Sequence, residues 1–191
     1  VIESEGVNRR DFMKWVSATT ATLMLPPMFA PLVAEATELM NRVPVVWIEL
    51  QDCAGNSEAL LRSSAPTVDD LLFDVLSLEF HETLQAAAGF DADKQLEEAV
   101  HHFKGKYLLF VEGAIPMAMN GQYGTIGAMG ETFHDHLMRM SKDAAAIVAV
   151  GTCATFGGVP AAAPNPTGAV GVKDLVKGKP IVNIPACPAN P

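Results

Sequence analysis

The chain contains 191 residues, with 22 acidic against 13 basic side chains and a formal net charge of −9. This charge argues against a nucleic-acid-binding protein, which usually presents a basic face. Charged residues make up 18% of the chain and hydrophobic residues 49%. Such a composition indicates a folded core rather than a disordered acidic segment. The length favours one domain.

The first 36 residues have the pattern of an export signal. Arg9-Arg10 precedes an apolar, uncharged run over residues 15–33, and Ala34-Glu35-Ala36 offers a small-residue cleavage site. The paired arginines favour the twin-arginine export route. We therefore expect a signal peptide at 1–36, a folded domain at 37–191, and a protein that is periplasmic or held at the outer face of the cytoplasmic membrane.

The two ends of the sequence suggest that the chain is part of a longer protein. It begins at Val1 rather than Met and stops at Pro191 within a turn-rich phrase. We expect further residues to follow in the complete protein.

From residue 45 onward, short apolar runs alternate with segments of helical spacing. The predicted order is a strand at 45–50, a helix over 58–62 capped by Asn56 or Ser57, a strand at 71–78, a helix over 93–103, a strand at 107–111, a Gly-rich loop at 121–130, a helix over 131–140, a strand at 145–150, a helical turn at 174–176 and a strand at 180–184. Apolar strands separated by helices are typical of a parallel sheet covered on both faces. The predicted fold is α/β, a flavodoxin-like doubly wound parallel sheet with flanking helices.

All three cysteines follow predicted strands at the same distance. Cys53, Cys153 and Cys187 each lie three residues after a strand, among small residues. Because ligands of an open α/β sheet bind beyond the carboxyl ends of the strands, we expect the three thiols to converge at one edge. Soft thiolates suit an iron–sulfur cluster or zinc. Ordinary packing of free cysteines is the third alternative, and a disulfide would leave one thiol over.

Seven phrases along the chain together resemble the small, electron-transferring subunit of [NiFe] hydrogenases. The resemblance covers nearly the whole chain. The phrases occur in the family's order and are Arg9-Arg10-Asp11-Phe12-Met13-Lys14, Asp52-Cys53-Ala54-Gly55-Asn56-Ser57-Glu58, Leu76-Ser77-Leu78-Glu79-Phe80-His81-Glu82-Thr83, Val111-Glu112-Gly113-Ala114-Ile115-Pro116, Gly151-Thr152-Cys153-Ala154-Thr155-Phe156-Gly157-Gly158, Pro164-Asn165-Pro166-Thr167-Gly168 and Cys187-Pro188-Ala189-Asn190-Pro191.

The resemblance implies an electron-transfer function. A member of this family holds a proximal [4Fe–4S] cluster, here on Cys53, Cys153 and Cys187, and faces a large subunit whose nickel–iron centre oxidises H2 reversibly. No catalytic residue is then expected on this chain, which passes electrons toward an acceptor such as a cytochrome. The family's medial and distal clusters belong to a C-terminal segment that the sequence does not include.

The first ligand loop departs from the family pattern. The family reads C-x-x-C there, whereas this chain reads Cys53-Ala54-Gly55-Asn56, so one thiolate is absent. Losing a thiolate changes the charge and potential of a cluster. The alternatives are an oxygen ligand from Asp52, Asn56 or Glu58, a [3Fe–4S] cluster, and water or hydroxide on an open iron. We expect an oxygen ligand, and a carboxylate replaces the thiolate's charge better than the neutral Asn56.

Other polar residues receive weaker interpretations. Glu58 either tunes the cluster or stabilises a helix N-terminus, and Glu112 is either an interface carboxylate or a loop acid. His81 is expected to form hydrogen bonds rather than ligate a metal. His101, His102, His134 and His136 are expected at the surface, and Phe156 either shields the cluster or belongs to the core.

Two other classes of function stay open on the sequence alone. The chain could be a flavodoxin-like flavin electron carrier, although no Ser/Thr-rich phosphate loop follows the first strand. It could also be a structural subunit whose cluster site is degraded by the substitution at Asn56.

Overall fold

Nine strands form in the computed structural model, which describes residues 42–190. They are β1 (Val43–Glu49), β2 (Leu76–His81), β3 (Leu108–Glu112), β4 (Ile115–Pro116), β5 (Thr125–Ile126), β6 (Glu131–Thr132), β7 (Ala146–Val150), β8 (Ala169–Val170) and β9 (Ile181–Ile184). The signal peptide predicted at 1–36 lies outside the described residues.

Within residues 42–190, six α-helices connect these strands. They are α1 (Gly55–Leu61), α2 (Val68–Asp70), α3 (Phe90–His102), α4 (Phe133–Asp143), α5 (Gly151–Phe156) and α6 (Val172–Leu175), with a π-helical turn at Leu71–Val75 and a 3-10 turn at Ala118–Gly121. Thr132 caps α4 because its hydroxyl accepts the backbone N–H of Asp135 at 3.1 Å. In the part of the chain that the structure describes, no helix has the length and apolarity needed to cross a bilayer.

The five longest strands form one parallel sheet in the order β2-β1-β3-β7-β9. Numbered within the sheet alone, this order is 2-1-3-4-5, which is the flavodoxin-like doubly wound order. The predicted fold class is therefore confirmed. Because all five strands run the same way, their carboxyl ends lie at one edge, and the loops that follow β1, β3, β7 and β9 begin there.

Alternating side chains of the strands pack on the two faces of the sheet. Val46 and Ile48 of β1 join one cluster with residues of α3, α4, α5 and α6. Trp47, between them in sequence, joins a second cluster with Ala189 and with the partly buried Leu60 of α1. The period of two explains why these strands are mostly apolar on both sides, since both faces are covered by other elements.

Two sequence predictions fail at boundaries. Residues 71–75 are helical and the strand begins only at Leu76, so the strand predicted at 71–78 is wrong in its first half. Thr67 and Asp70 form a capping box that starts a helix just before this run. The loop predicted at 121–130 contains strand β5, which pairs antiparallel with β6 at Thr125–Thr132 and Ile126–Glu131.

Candidate metal centre

The three cysteines follow the carboxyl ends of sheet strands, as their spacing predicts. Cys53 follows β1 and Cys187 follows β9, each on an irregular segment, and both are exposed. Cys153 lies in the first turns of the short helix α5, directly after β7, and is half-buried.

Hydrogen bonds tie the three cysteine segments to each other. The backbone N–H of Thr152, next to Cys153, donates to the carbonyl of Ala186, next to Cys187, at 2.8 Å. The backbone N–H of Ala189 donates to Asn56 Oδ1, also at 2.8 Å. The segment that carries Cys187 is thus fixed to both other segments, which keeps the three thiols at one end of the sheet.

Small residues leave room around the sulfur atoms. A Cβ on Gly158 would lie 2.6 Å from Cys153 Sγ, and a Cβ on Gly55 would lie 3.2 Å from Cys53 Sγ. Cys153 and Cys187 also line one cavity of about 510 Å³. Three convergent thiols in a cradle that a side chain would fill fit an iron–sulfur cluster held at three corners.

A Gly158→Ala variant should prevent the cradle from binding a cluster. Gly158 has φ +53°, and its added methyl group would collide with Cys153. Gly178→Ala is the matched control, because Gly178 has φ +76° and no atom within 4 Å of its Cβ position. Both variants pay about 1–2 kcal/mol of left-handed strain, so only the collision differs. Visible absorption and iron content should fall in Gly158→Ala alone; equal loss in both variants would contradict the role of the cradle.

Burial and the neighbouring acidic groups oppose ionisation of the Cys153 thiol in the absence of a metal. Burial raises the pKa of the Cys153 thiol, and the nearby Cys187, Cys53 and Asp52 add to the effect. These neighbours act on Cys153 because the three loops converge. Cluster assembly therefore has to displace a proton from this thiol.

The side chain of Asn56 is held by hydrogen bonds to three parts of the fold. Its Nδ2 donates to Glu112 Oε1 at 3.0 Å and lies 3.5 Å from the carbonyl of Val150, while its Oδ1 accepts the N–H of Ala189. Because both ends of the amide have protein partners, Asn56 is poorly disposed to ligate iron.

Glu112 anchors the start of α1, a role that the sequence does not reveal. Its Oε1 accepts the backbone N–H of Asn56 at 2.8 Å, and its Oε2 accepts the N–H and hydroxyl of Ser57 at 3.0 and 2.7 Å. Glu112 is fully buried. The helix is preceded by Ala54 in a left-handed conformation without a side-chain cap, so the predicted caps at Asn56 and Ser57 are wrong, and Glu112 supplies the acceptors instead.

A polar network extends from Glu112 to β1 and β2. The hydroxyl of Ser57 lies 2.8 Å from Glu49 Oε1 and 3.1 Å from His81 Nε2, and Thr83 donates to Glu49 at 2.9 Å. Burial lowers the pKa of His81 to about 4, so this ring is neutral at neutral pH. The expectation that His81 forms hydrogen bonds is confirmed.

Asp52 and Glu58, the two carboxylates considered as fourth ligands, have different surroundings. Desolvation, together with the charges of Glu112 and Glu49, raises the pKa of Asp52 to about 7. The carboxylate oxygens of these three residues lie within 4.8 Å of one another. Glu58 is exposed and pairs with Arg62 one turn further along α1. Asp52 is exposed, but its carboxylate lies beside the buried Glu49 and Glu112, whereas Glu58 has a partner in solvent.

Two interpretations of single side chains need correction. His136 is only 3% exposed, so its predicted surface position is wrong; its helix turns it toward the core, while His134 on the same helix is half-buried. Phe156 is 55% exposed and lies under Lys173 Nζ, 4.8 Å from the ring centre, so it is not a core residue.

Comparison with known proteins decides the family. Residues 53–191 match the family described as NADH ubiquinone oxidoreductase, 20 Kd subunit. The chain belongs to this family. It is 50% identical over 188 residues to the quinone-reactive Ni/Fe-hydrogenase small chain of Wolinella succinogenes, an alignment that covers 98% of this chain and 53% of the relative.

Further relatives are hydrogenases as well. The chain is 45% identical over 188 residues to the periplasmic [NiFe] hydrogenase small subunit 1 of Nitratidesulfovibrio vulgaris, covering 97% of this chain and 58% of the relative. The reduced, active Ni-Fe-Se hydrogenase from Desulfomicrobium baculatum superposes with a TM-score of 0.77 at 39% identity, covering 79% of this chain and 58% of that chain. The resemblance to [NiFe] hydrogenase small subunits is confirmed, and the chain spans about half the length of the curated relatives it matches.

Proposed function

We propose that the chain is part of the electron-transferring small subunit of a [NiFe] hydrogenase. In the complete enzyme, a large subunit oxidises H2 reversibly to protons and electrons, and this chain carries the electrons away toward an acceptor such as a cytochrome. The observation that carries the proposal is the convergence of Cys53, Cys153 and Cys187 at the carboxyl edge of the sheet. Sequence similarity over nearly the whole chain supports it independently.

A proximal [4Fe–4S] cluster is the group that these thiols would hold, and when bound it supplies a one-electron relay. The chain's own residues shape its surroundings. Gly55 and Gly158 leave space beside two sulfur atoms, and the bonded loops fix the relative positions of all three. Medial and distal clusters are proposed for the segment that the sequence does not include.

A large partner subunit is supported by the exposure of the site. Cys53 and Cys187 are exposed in the described part of the chain, and Val159, which lines the cavity between Cys153 and Cys187, is exposed too. A cluster open to water on this side gains a dry environment only if another protein surface covers it. We therefore place the large-subunit contact at this edge, and we propose twin-arginine export to the periplasm or the outer membrane face on the strength of Arg9-Arg10.

Asp52 is the side chain that we propose as fourth cluster ligand. Asn56 is held by Glu112 and Ala189, and Glu58 is paired with Arg62, which leaves Asp52 of the three candidates. Its carboxylate supplies the negative charge that the absent thiolate would have brought. It also lies close enough to Cys153 to act on the ionisation of that thiol.

An Asp52→Asn variant tests this assignment by a spectrum. The amide is a poorer ligand for iron than the carboxylate, so the fourth iron should be lost and a three-iron EPR signal should replace the four-iron signal. Glu58→Gln, the matched change on the exposed carboxylate, should leave the four-iron signal intact. A four-iron signal that is unchanged in Asp52→Asn would exclude Asp52 and leave solvent on the fourth iron.

Asn56→Cys tests the position of the missing thiolate. A fourth thiolate there should make the cluster independent of Asp52, so the double variant Asp52→Asn/Asn56→Cys should recover the four-iron signal. Mössbauer spectra of Asp52→Asn and of the double variant check the iron count of the cluster directly. Failure of the second substitution to restore the signal would mean that residue 56 does not reach the cluster.

A further inference from the structure

A second cavity, distinct from the cysteine site, lies between α3, α4 and the segment that joins β5 to β6. Its volume is about 760 Å³. Glu82, Gln85 and His136 line it on the inside, and the exposed Met129 lies at its border with solvent. The cavity is thus open to small solutes.

Unpartnered polar atoms concentrate in this cavity. Within residues 42–190, four buried side-chain nitrogen or oxygen atoms have no hydrogen-bond partner, and three of them line it, namely Glu82 Oε1, Gln85 Oε1 and His136 Nε2. Buried polar groups nearly always have a partner, so such a concentration points to a missing ligand. His136 carries the argument furthest because its side chain is 4% exposed.

The orientation of His136 is that of a metal ligand. Its Nδ1 lies 2.9 Å from Glu131 Oε2. Glu131 also accepts hydrogen bonds from Arg139 Nε and Nη2, so it faces Nδ1 as an acceptor, and we assign the ring proton to Nδ1, which also lies 3.4 Å from Arg139 Nη2. The lone pair of Nε2 then points into the cavity. A carboxylate behind the distal ring nitrogen is the usual support of a histidine that binds a metal.

The opposite side of the cavity is the carboxyl group of Glu82, whose pKa burial raises to about 8, so a metal ion has to displace its proton. Glu82 Oε1 lies 3.9 Å from His136 Nε2, which is too long for a hydrogen bond. Two metal–ligand bonds of about 2.0–2.2 Å would span this distance at an angle of roughly 140°, so the two side chains have to close by about 0.5 Å to reach the tetrahedral angle of zinc. The positive charge of Arg139, which disfavours a cation at His136, is offset by the carboxylates of Glu131 and Glu97 that pair with its guanidinium.

We propose that Glu82 and His136 bind a divalent transition-metal ion of the zinc type, with Glu131 as the residue that positions the histidine. Imidazole together with carboxylate is a donor set that suits Zn²⁺. The amide oxygen of Gln85 and water are available for the remaining positions. This site shares no ligand with the cysteine site, and it goes beyond the electron-transfer function.

The test uses the purified full-length complex with its clusters in place. The complex is equilibrated with one equivalent of Zn²⁺ and desalted, the zinc is counted, and its X-ray absorption spectrum is recorded. We expect one retained zinc with nitrogen and oxygen ligands at about 2.0–2.1 Å, whereas zinc in a cluster-depleted cysteine site would show sulfur at about 2.3 Å. The two proposed sites are therefore distinguished by ligand type.

Variants of Glu82 and His136, on the two sides of the proposed metal position, complete the test. Glu82→Gln, which keeps the shape of the side chain, and His136→Gln should abolish retention, and Glu131→Gln should weaken zinc affinity about 10–100-fold. His134→Gln, on the same helix but paired with Asp135 at 2.9 Å, should retain zinc like the wild type. No retained zinc in the wild type, sulfur ligands only, or unchanged retention in Glu82→Gln would overturn the proposal.

Discussion

A Cys153→Ala variant is expected to lose the cluster of this domain and with it electron transfer from H2 to an added acceptor dye. Cys153 is the half-buried thiol of the three, and α5 fixes its position directly after β7. With this sulfur removed, only Cys53 and Cys187 remain as thiolate ligands. A cluster held by two thiolates lacks the donor set that such clusters require. Iron and sulfide content and dye reduction by the purified complex measure the effect.

The control for this variant is the neighbouring residue. Thr152→Ser keeps the backbone N–H that donates to Ala186 and leaves all three thiols in place, so it should retain full iron content. If Cys153→Ala keeps its iron and its rate of dye reduction, the convergence of the cysteines does not reflect a cluster.

The second large effect concerns Glu112 and stability. Glu112→Gln retains the size of the side chain but turns one acceptor oxygen into a donor that faces the N–H and O–H groups of Asn56 and Ser57. With the amide nitrogen in the Oε1 position both bonds from Asn56 are lost, and in the Oε2 position the bond from the Ser57 N–H is lost, at about 1.5–3 kcal/mol for each bond to a charged group. We expect a loss of about 3 kcal/mol, which lowers the melting temperature of a domain of this size by about 6–12 °C.

Circular dichroism at a fixed heating rate measures this shift. Glu98→Gln makes the same chemical change on α3, where the side chain is 67% exposed, and should alter stability by less than about 0.5 kcal/mol. Equal melting temperatures of the two variants would show that Glu112 does not anchor α1.

The topology and the convergence of the cysteines could be predicted because both follow from local patterns. The run at 145–150 is apolar throughout and the run at 45–50 is apolar except for Glu49, which is typical of strands buried on both faces. Once the strands are parallel, residues at equal distances after them meet at one edge. Cys53, Cys153 and Cys187 therefore come together although they are far apart in sequence.

The partners of individual polar side chains could not be predicted. Asn56 is bonded to Glu112 and Ala189, which lie 56 and 133 residues away, and no local pattern encodes such pairs. The same holds for His136, which lies 3.9 Å from the side chain of Glu82, a residue 54 positions away. The helical turn at 71–75 is not predicted because a short apolar run does not distinguish helix from strand; the capping box at Thr67 and Asp70 is the local signal that favours the helix.

The most direct test of the central claim is a count of iron and acid-labile sulfide, with EPR, on the purified full-length complex. The account predicts a proximal [4Fe–4S] signal with four irons on Cys53, Cys153 and Cys187 and an oxygen ligand, which disappears in Cys153→Ala. A complex that carries no cluster at these three cysteines would contradict the account, because the electron path from the large subunit would then bypass this domain.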